Sequence, residues 1–304
     1  MDYSIIVPVF NSEDTLKELF ERIQRVFEGI SSTWEVIFIE DCGIDGSWSI
    51  LETLKKEHPE RITAIKLTKN YGQHNATFCG LIHAKGNRVI TIDDDLQTPP
   101  EEIIKLIELQ DQQNADLVYG LYPVKRHSLM RNLWSSSLKI TSKAFFDGPG
   151  KGSSFRLITG ELVKKVLAHH QNFIYLDELF NWYTTSIEGV NVKHEKRKSK
   201  RSGYNSFQLI GLFANIMIYY SSVPLRMMIY TGFVVSFFTF LVGLFYIIKR
   251  LFFNVSVPGY TSLIVAILFS TGIILLSLGV IGEYLSRIYM VQNKKPPFSI
   301  KKIL

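Results

Sequence analysis

Three consecutive aspartates follow a strand-like segment, and their spacing is typical of a cation-binding site. Residues 89–92 are apolar or β-branched, as in a buried strand, and Pro99-Pro100 forces a turn further on. Asp93 and Asp95 are two residues apart, so in extended geometry their side chains point the same way. Like charges this close repel each other unless a cation lies between them. The pattern predicts a divalent-metal site for a phosphorylated ligand; the alternative is a solvated turn or a helix N-cap.

The first 200 residues alternate between strand-like and helix-like segments. Strands are predicted at 3–9, 35–40, 62–66, 88–92 and 116–120, and helices at 13–27, 47–57, 74–84 and 101–112. This order predicts an α/β fold with right-handed crossovers and a mostly parallel sheet. Ligands bind at the carboxyl ends of strands in such sheets, which is where the aspartates lie.

The last third of the chain contains two long uncharged runs. Residues 227–248 form one, which would extend about 33 Å as a helix, enough to cross a bilayer. Residues 251–282 form the other, interrupted at Pro258-Gly259, so that the second span is predicted to begin near Tyr260. The two predict a transmembrane hairpin, with two buried helices of a soluble core as the alternative. Residues 205–222 predict an interfacial helix on the membrane, with core packing as the alternative.

Charge is distributed unevenly along the chain. Residues 226–304 carry a net +7 and residues 1–225 a net −1, so the basic balance belongs to the C-terminal part. No aromatic-rich basic groove accompanies it, which argues against nucleic-acid binding. The two cysteines, Cys42 and Cys79, predict buried thiols rather than a disulfide framework or a zinc site. The chain enters its first strand without a leader pattern, so we expect the first domain to be cytoplasmic.

Three further motifs accompany the aspartates. A strand, a proline turn and an acidic helix start occupy residues 5–13, where main-chain N–H groups face a ligand. A second strand ends on Glu40-Asp41, which suits hydrogen bonding to a base or ribose. Residues 70–74, Asn-Tyr-Gly-Gln-His, form a polar loop that opens a helix.

In this order, the four motifs resemble those of family-two glycosyltransferases with the GT-A fold. Together with the two C-terminal spans, the chain resembles polyisoprenyl-phosphate glycosyltransferases, a group that includes bactoprenol glucosyltransferases and dolichol-phosphate mannose synthases. The resemblance covers essentially the whole chain. Its most specific parts are the Asp-x-Asp-Leu-Gln-x-Pro-Pro and Asn-Tyr-Gly-Gln motifs.

The resemblance implies roles for individual residues. Asp93 and Asp95 would hold Mg²⁺ or Mn²⁺ against the donor diphosphate, with Gln97 nearby. Hard cations of this kind are usually held by one or two carboxylates together with substrate phosphates. The residues implied to hold the nucleotide are Pro8, Val9, Asn11, Glu13, Asp41 and Asp93.

Arginines supply the implied phosphate contacts. Arg126, Arg131 and Arg156 match family arginines, and a guanidinium fits phosphate oxygens well. The alternative for these residues is surface ion pairing. Residues 193–201 contain six basic side chains that could bind a lipid phosphate, the donor diphosphate or anionic headgroups. By resemblance, Arg197 contacts the diphosphate or the acceptor phosphate, and the other basic residues face the membrane surface.

One departure from the family concerns the general base. Many members have an aspartate where this chain has Ser154, which cannot act as a carboxylate base. Either Asp177, beside Glu178, supplies the base, or the acceptor is a phosphate that is largely ionised at pH 7 and needs none. We prefer the second possibility, an ionised phosphate acceptor that needs no base. The structural alternative for Asp177 is that it is the N-cap of a helix at 178–184.

The resemblance thus implies an inverting enzyme that moves a sugar from a nucleotide-sugar, by expectation a UDP-sugar, to a polyprenyl phosphate. The expected domains are a GT-A domain (1–204), an interfacial helix (205–225) and a transmembrane hairpin with a basic cytoplasmic tail (226–304). The expected location is the inner face of the plasma membrane, as a multi-pass homo-oligomer, a tetramer by resemblance. The alternatives are transfer to a sugar hydroxyl of a growing glycan with Asp177 as base, and a non-catalytic membrane scaffold.

Overall fold

The structure is a computed structural model of the 304-residue chain. It describes residues 1–122, 153–168, 175–195, 259–292 and 296–304, together with scattered positions between 228 and 252. Contacts divide the chain into two compact units. One comprises Met1–Gly203 with Pro296–Leu304, and the other comprises Tyr204–Lys295.

The first unit alternates strands and helices as the sequence pattern predicts. The strands are β1 (Tyr3–Val9), β2 (Trp34–Glu40), β3 (Ile62–Leu67), β4 (Arg88–Thr91), β5 (Leu117–Leu121), β6 (Arg156–Thr159), β7 (Ile187–Asn191) and β8 (Ile300–Ile303). The helices are α1 (Leu16–Glu28), α2 (Ser47–Glu57), α3 (Gln73–His83), α4 (Ile103–Gln113), α5 (Gly160–Leu167) and α6 (Leu176–Tyr183), and a 3₁₀ turn at Pro100–Glu102 precedes α4. The predicted α/β class and mostly parallel sheet are confirmed.

The strands form one eight-stranded sheet in the order β7-β5-β6-β4-β1-β2-β3-β8. β1 pairs in parallel with both β2 and β4, and β6 and β8 run antiparallel to their neighbours. The chain moves outward from β1 to β3 and then returns to place β4 on the other side of β1. This reversal of strand order creates a crevice at the carboxyl ends of β4 and β1, the usual ligand site of such sheets.

Apolar periodicity explains how these elements pack. All seven residues of β2 are buried, as expected of a central strand covered on both faces. Helix α1 buries Leu16, Leu19, Phe20 and Ile23, which recur at the spacing of one helical face. Helix α3 lies very close to the sheet, because a Cβ at Gly80 would be 2.4 Å from the Ile6 side chain. Of the two cysteines, Cys79 is buried and Cys42 is half-buried, and both are free thiols.

Several elements differ from the sequence prediction. The antiparallel strand β6, helix α5 and the strands β7 and β8 were not predicted, and α1 begins at Leu16 rather than at residue 13. The N-cap reading of Asp177 is wrong, because α6 begins at Leu176 after Tyr175 and places Asp177 inside its first turn. These segments are short, and short strands carry little periodicity to identify them.

The C-terminal strand β8 lies along the outer edge of β3. Main-chain hydrogen bonds join Ala64 to Leu304 in both directions and run from Thr68 N–H to the Ser299 carbonyl. Lys302 pairs with Glu52 at 2.9 Å and lies over the Trp48 ring. The residues from Pro296 onward therefore group with the first unit, whereas the sequence prediction had joined them to the hairpin.

Deleting residues 299–304 should lower the melting temperature of the purified chain by roughly 3–5 °C, because it removes edge pairing worth about 1–2 kcal/mol. The deletion should also promote aggregation, since it exposes the polar edge of β3. Thermal unfolding followed by light scattering would measure both effects. Lys301→Ala, a change at an exposed position of the same strand, is the matched control. An unchanged melting temperature in the deletion would contradict the expectation.

The second unit contains one helix that is fully described, α7 (Tyr260–Gln292), with 33 residues. Its start confirms the predicted boundary at Tyr260. The window Phe269–Ser286 is apolar and long enough to cross a membrane, and it is the one such helix among the described residues. The described positions between 228 and 248 are also helical. The predicted interfacial helix at 205–222 lies outside the described residues.

Candidate active site

The sheet order brings three sets of polar residues to one edge. β4, β1 and β2 are neighbours, so the residues that follow them, Asp93–Asp95, Asn11 and Asp41, lie at adjacent strand ends. Because the three strands are parallel, all three sets follow the carboxyl ends of their strands at the same edge of the sheet. This edge therefore brings together the three aspartates, Asp93–Asp95 (the triplet), with Asn11 and Asp41, two of the residues predicted to hold the nucleotide.

Asp94 faces the loop between β1 and α1. Its carboxylate accepts hydrogen bonds from the Phe10 main-chain N–H at 2.9 Å and from the Ser12 hydroxyl. Its own carbonyl accepts a bond from the Thr15 hydroxyl at 2.6 Å. Burial raises the pKa of the Asp94 carboxyl to about 7. These contacts give Asp94 a structural role, because they join the three aspartates to the first loop.

Asp93 and Asp95 have other partners. Asp93 accepts a hydrogen bond from the Gln73 amide at 2.6 Å and one from the Ser154 hydroxyl at 2.5 Å. Asp95 accepts the Gln97 main-chain N–H at 3.0 Å, which shapes the turn after the strand. Both side chains are half-buried at the crevice between β4 and β1.

The donor set at this edge fits a hard divalent cation. The described residues contain no group of three or more His, Cys, Asp or Glu side chains in metal-binding geometry. Two carboxylates suit Mg²⁺ or Mn²⁺, which take their remaining oxygens from phosphates and water. Asp93 and Asp95 would be the protein ligands, and the cation would neutralise the charge of a departing diphosphate.

Asp41 is buried at the end of β2 and faces the Asn-Tyr-Gly-Gln loop. Its carboxylate accepts the main-chain N–H groups of Tyr71 at 2.7 Å and Gly72 at 2.8 Å. Burial raises the pKa of the Asp41 carboxyl to about 6, against the opposing effect of these two bonds. Gly72 has φ of 85°, which a residue without a side chain adopts without strain. Asp41 thus fixes the loop from which α3 begins.

The other predicted nucleotide residues support the first two loops. The side-chain Oδ1 of Asn11 accepts the Ile44 N–H at 2.8 Å, and the Glu13 carboxylate accepts the Gly46 N–H at 2.6 Å. Pro8 lies within β1, opposite Ile39. The carbonyl of Val9 accepts the Asp41 N–H. In this structure, therefore, the Asn11 and Glu13 side chains shape the loops that a nucleotide would contact.

Arg156 and Asp177 form a buried ion pair. Arg156 is 3% exposed, and its Nη1 donates to Asp177 Oδ1 at 2.6 Å while its Nε donates to the Thr91 hydroxyl at 3.1 Å. The Tyr119 hydroxyl donates to the same Asp177 oxygen at 2.9 Å. The guanidinium also lies 5.2 Å from the Phe180 ring centroid. Two residues that the sequence analysis assigned separately, to phosphate binding and to base catalysis, are therefore brought together.

His74, which the sequence analysis did not single out as a site residue, lies beside this pair. Its ring is 4.8 Å from that of Tyr175, and its Nδ1 is buried without a hydrogen-bond partner among the described residues. Burial lowers the pKa of His74 from 6.5 to about 4; the negative charge of Asp177 opposes this shift, and the smaller effect of Arg156 adds to it. The signal in the sequence was its place in the Asn-Tyr-Gly-Gln-His motif.

The unfolding free energy should depend on pH through His74. Below pH 6.5 the unfolded chain binds a proton at this residue and the folded chain does not, so stability falls by about 3 kcal/mol as the pH drops to 4. Asp41 has the opposite effect in the same range, since its raised pKa makes the folded state lose stability as the pH rises toward 6. Thermal melts of the wild type and His74→Gln between pH 4 and 7 would isolate the histidine contribution. Parallel pH profiles for the two proteins would contradict it.

The segment after β7 contacts the loop that carries the aspartates. The Glu195 N–H donates to the Gln97 carbonyl at 2.8 Å, and the Lys193 N–H donates to the Glu102 carboxylate at 3.1 Å. The His194 ring lies 4.5 Å from that of Tyr122. The basic run that begins at Lys193 therefore starts beside the triplet. Arg126, Arg131 and Arg197 lie outside the described residues.

Comparison with known families places most of this chain within two family models. A model described as Glycosyl transferase family 2 matches residues 4–181, more than half of the chain. The chain belongs to glycosyl transferase family 2. A second model, the GtrB C-terminal hairpin, matches residues 223–288, the region of the two predicted spans of this family-2 chain.

Relatives match the family-2 chain over nearly its whole length. The undecaprenyl-phosphate 4-deoxy-4-formamido-L-arabinose transferase of Pectobacterium atrosepticum is 31% identical, covering 98% of this chain and 92% of the relative. The bactoprenol glucosyl transferase of Shigella phage SfII is 32% identical, covering 99% and 98%.

A solved structure shares the fold. The glucosyl-3-phosphoglycerate synthase of Mycobacterium tuberculosis, solved with Mn²⁺ and UDP-glucose, aligns with a TM-score of 0.50 and 15% identity, covering 71% of this chain and 77% of that one. Together with the family match, this likeness supports a GT-A type sheet for the first unit.

Proposed function

We propose that this protein transfers a sugar from a nucleotide-sugar, a UDP-sugar by preference, to a polyprenyl phosphate. The proposal is carried by the pair Asp93 and Asp95, which lie where the strand order of the family-2 domain reverses. A match to the GtrB C-terminal hairpin follows this domain in the sequence. The two relatives described above act, by their names, on undecaprenyl phosphate and bactoprenol. Their alignments extend over both units of the chain.

In this proposal the donor binds at the carboxyl ends of β1, β2 and β4. Asp93 and Asp95 hold Mg²⁺ or Mn²⁺ on the diphosphate, and Pro8, Val9 and Asp41 border the nucleotide. Asn11 and Glu13 support the same loops through the Ile44 and Gly46 N–H groups. Preorganised charge at a departing diphosphate is usually the largest catalytic contribution in such reactions.

The acceptor phosphate would attack the anomeric carbon directly. A phosphate monoester is largely ionised at pH 7, so it needs no base to remove a proton. The contacts of Asp177 favour this route, since the oxygen that bonds Arg156 also accepts the Tyr119 hydroxyl, and Arg156 is buried. A single displacement of this kind inverts the anomeric configuration and releases the nucleoside diphosphate.

The proposal also assigns three arginines to phosphate binding. The described segment ends at Glu195, two residues before Arg197 in the sequence, and the Glu195 N–H donates to the Gln97 carbonyl in the aspartate loop. We propose that Arg197, with Arg126 and Arg131, contacts the diphosphate or the acceptor phosphate.

The hairpin would cross the plasma membrane twice and keep the catalytic unit on the cytoplasmic side. The proposed assembly is a homo-oligomer, a tetramer by resemblance.

The decisive experiment uses membranes that contain the full chain. They would be incubated with a panel of nucleotide-sugars and undecaprenyl phosphate, and the lipid product identified by mass spectrometry. We expect one donor to yield a lipid-linked phosphosugar from undecaprenyl phosphate. With undecaprenol, which lacks the phosphate, as the acceptor, we expect no such product. A product only with a glycan hydroxyl acceptor would favour the base-dependent alternative. No product with any donor, together with no metal-dependent UDP binding by calorimetry, would favour the scaffold.

A further inference from the structure

Asp93 is held by two neutral side chains from separate parts of the sequence. Gln73 is the first residue of α3, and its amide donates to Oδ1 at 2.6 Å. Ser154 lies just before β6, and its hydroxyl donates to Oδ2 at 2.5 Å. One bond on each oxygen fixes the plane of the carboxylate, because rotation about its last torsion would lengthen both bonds.

Both donors are themselves held in place. Gln73 follows Gly72, whose N–H is bound by the buried Asp41 carboxylate at 2.8 Å. The Ser154 carbonyl accepts the Thr91 hydroxyl, and that hydroxyl accepts a bond from Arg156 Nε. The backbone beside each donor is therefore hydrogen-bonded to a buried side chain, Asp41 near Gln73 and Thr91 at Ser154.

The neutrality of the two donors matters chemically. An amide and a hydroxyl orient the carboxylate and add no positive charge of their own. Groups that orient a metal-binding side chain in this way commonly change metal affinity by 10–100-fold when they are removed.

We propose that Gln73 and Ser154 are positioning residues that set the Asp93 carboxylate for binding the cation and the donor diphosphate. This inference rests on the proposed function. It gives Ser154 a role as a neutral donor that orients a cation ligand. Arg156 also donates to the Thr91 hydroxyl, which in turn donates to the Ser154 carbonyl. The Arg156–Asp177 pair would therefore help to hold Ser154 in place.

The test measures Mn²⁺ binding to the purified full-length chain in detergent, with and without UDP. The electron paramagnetic resonance signal of free Mn²⁺ reports how much of the ion stays unbound. We expect Ser154→Ala and Gln73→Met each to weaken Mn²⁺ binding about 10–100-fold. Ser154→Thr keeps a hydroxyl and should stay within about threefold of the wild type. Thr33→Ala is the matched control, because it removes a hydroxyl donor from Asp2, at the opposite ends of β1 and β2 from the aspartates, and it should leave Mn²⁺ affinity within about threefold.

Two outcomes separate this inference from the proposed function. If the wild type binds Mn²⁺ with UDP and the Ser154→Ala and Gln73→Met proteins bind it equally well, the positioning role is overturned and the proposed function stands. If the wild type binds no Mn²⁺ with UDP, the proposed cation site fails, and the inference fails with it. Gln73 is exposed, so its variant should fold even if Ser154→Ala does not.

Discussion

Replacing Asp95 with asparagine is expected to lower kcat/KM for sugar transfer at least about a hundredfold. Asparagine keeps the shape of the side chain and can still accept the Gln97 N–H, but it removes one of the two negative charges that would hold the cation on the diphosphate. Cation stabilisation of a leaving group is worth several kcal/mol, and each 1.4 kcal/mol is tenfold in rate. Initial rates with undecaprenyl phosphate and the donor found by mass spectrometry would measure the loss.

The control for Asp95 is Asp111→Asn. Asp111 lies on α4, is exposed and pairs with Arg88 at 2.5 Å, so its loss removes the same charge from the surface. We expect near-full transfer activity from this variant, since exposed pairs contribute little. An Asp95→Asn protein that retained wild-type rates at every Mn²⁺ concentration would show that the triplet does not hold the reacting diphosphate.

Arg156→Met should lower the free energy of unfolding by about 3–5 kcal/mol, the usual result of breaking a buried ion pair. The change leaves the Asp177 carboxylate, 18% exposed, without its charged partner. Thr91 would also lose the bond from Arg156 Nε. The measurement is thermal or urea unfolding of the purified chain.

The double variant Arg156→Met/Asp177→Asn separates stability from catalysis. Neutralising both partners removes the unpaired charge, so we expect most of the lost stability to return. Asparagine can still accept the Tyr119 hydroxyl, which preserves part of the network. If the refolded double variant still makes the lipid phosphosugar, Asp177 is not the general base. A folded double variant that binds the donor but transfers no sugar would favour the base-dependent reaction instead.

The first half of the fold followed from sequence pattern. The strands β1 to β5 and helices α1 to α4 were predicted within a few residues, because each has the apolar spacing of its type and is bounded by turn residues. The aspartate spacing and the polar strand ends likewise indicated the edge where the candidate site lies. Such signals are local, so one segment is enough to reveal them.

The sequence alone also determined the family, through four ordered motifs and the two apolar runs. The tertiary structure alone decided which side chains meet. β6 inserts antiparallel between β4 and β5 and brings Ser154 to Asp93 and Arg156 to Thr91. β8 returns to the edge of β3 from the far end of the chain. Pairings across 61 residues for Ser154 and Asp93, or 21 for Arg156 and Asp177, depend on strand order and packing, which no local spacing encodes.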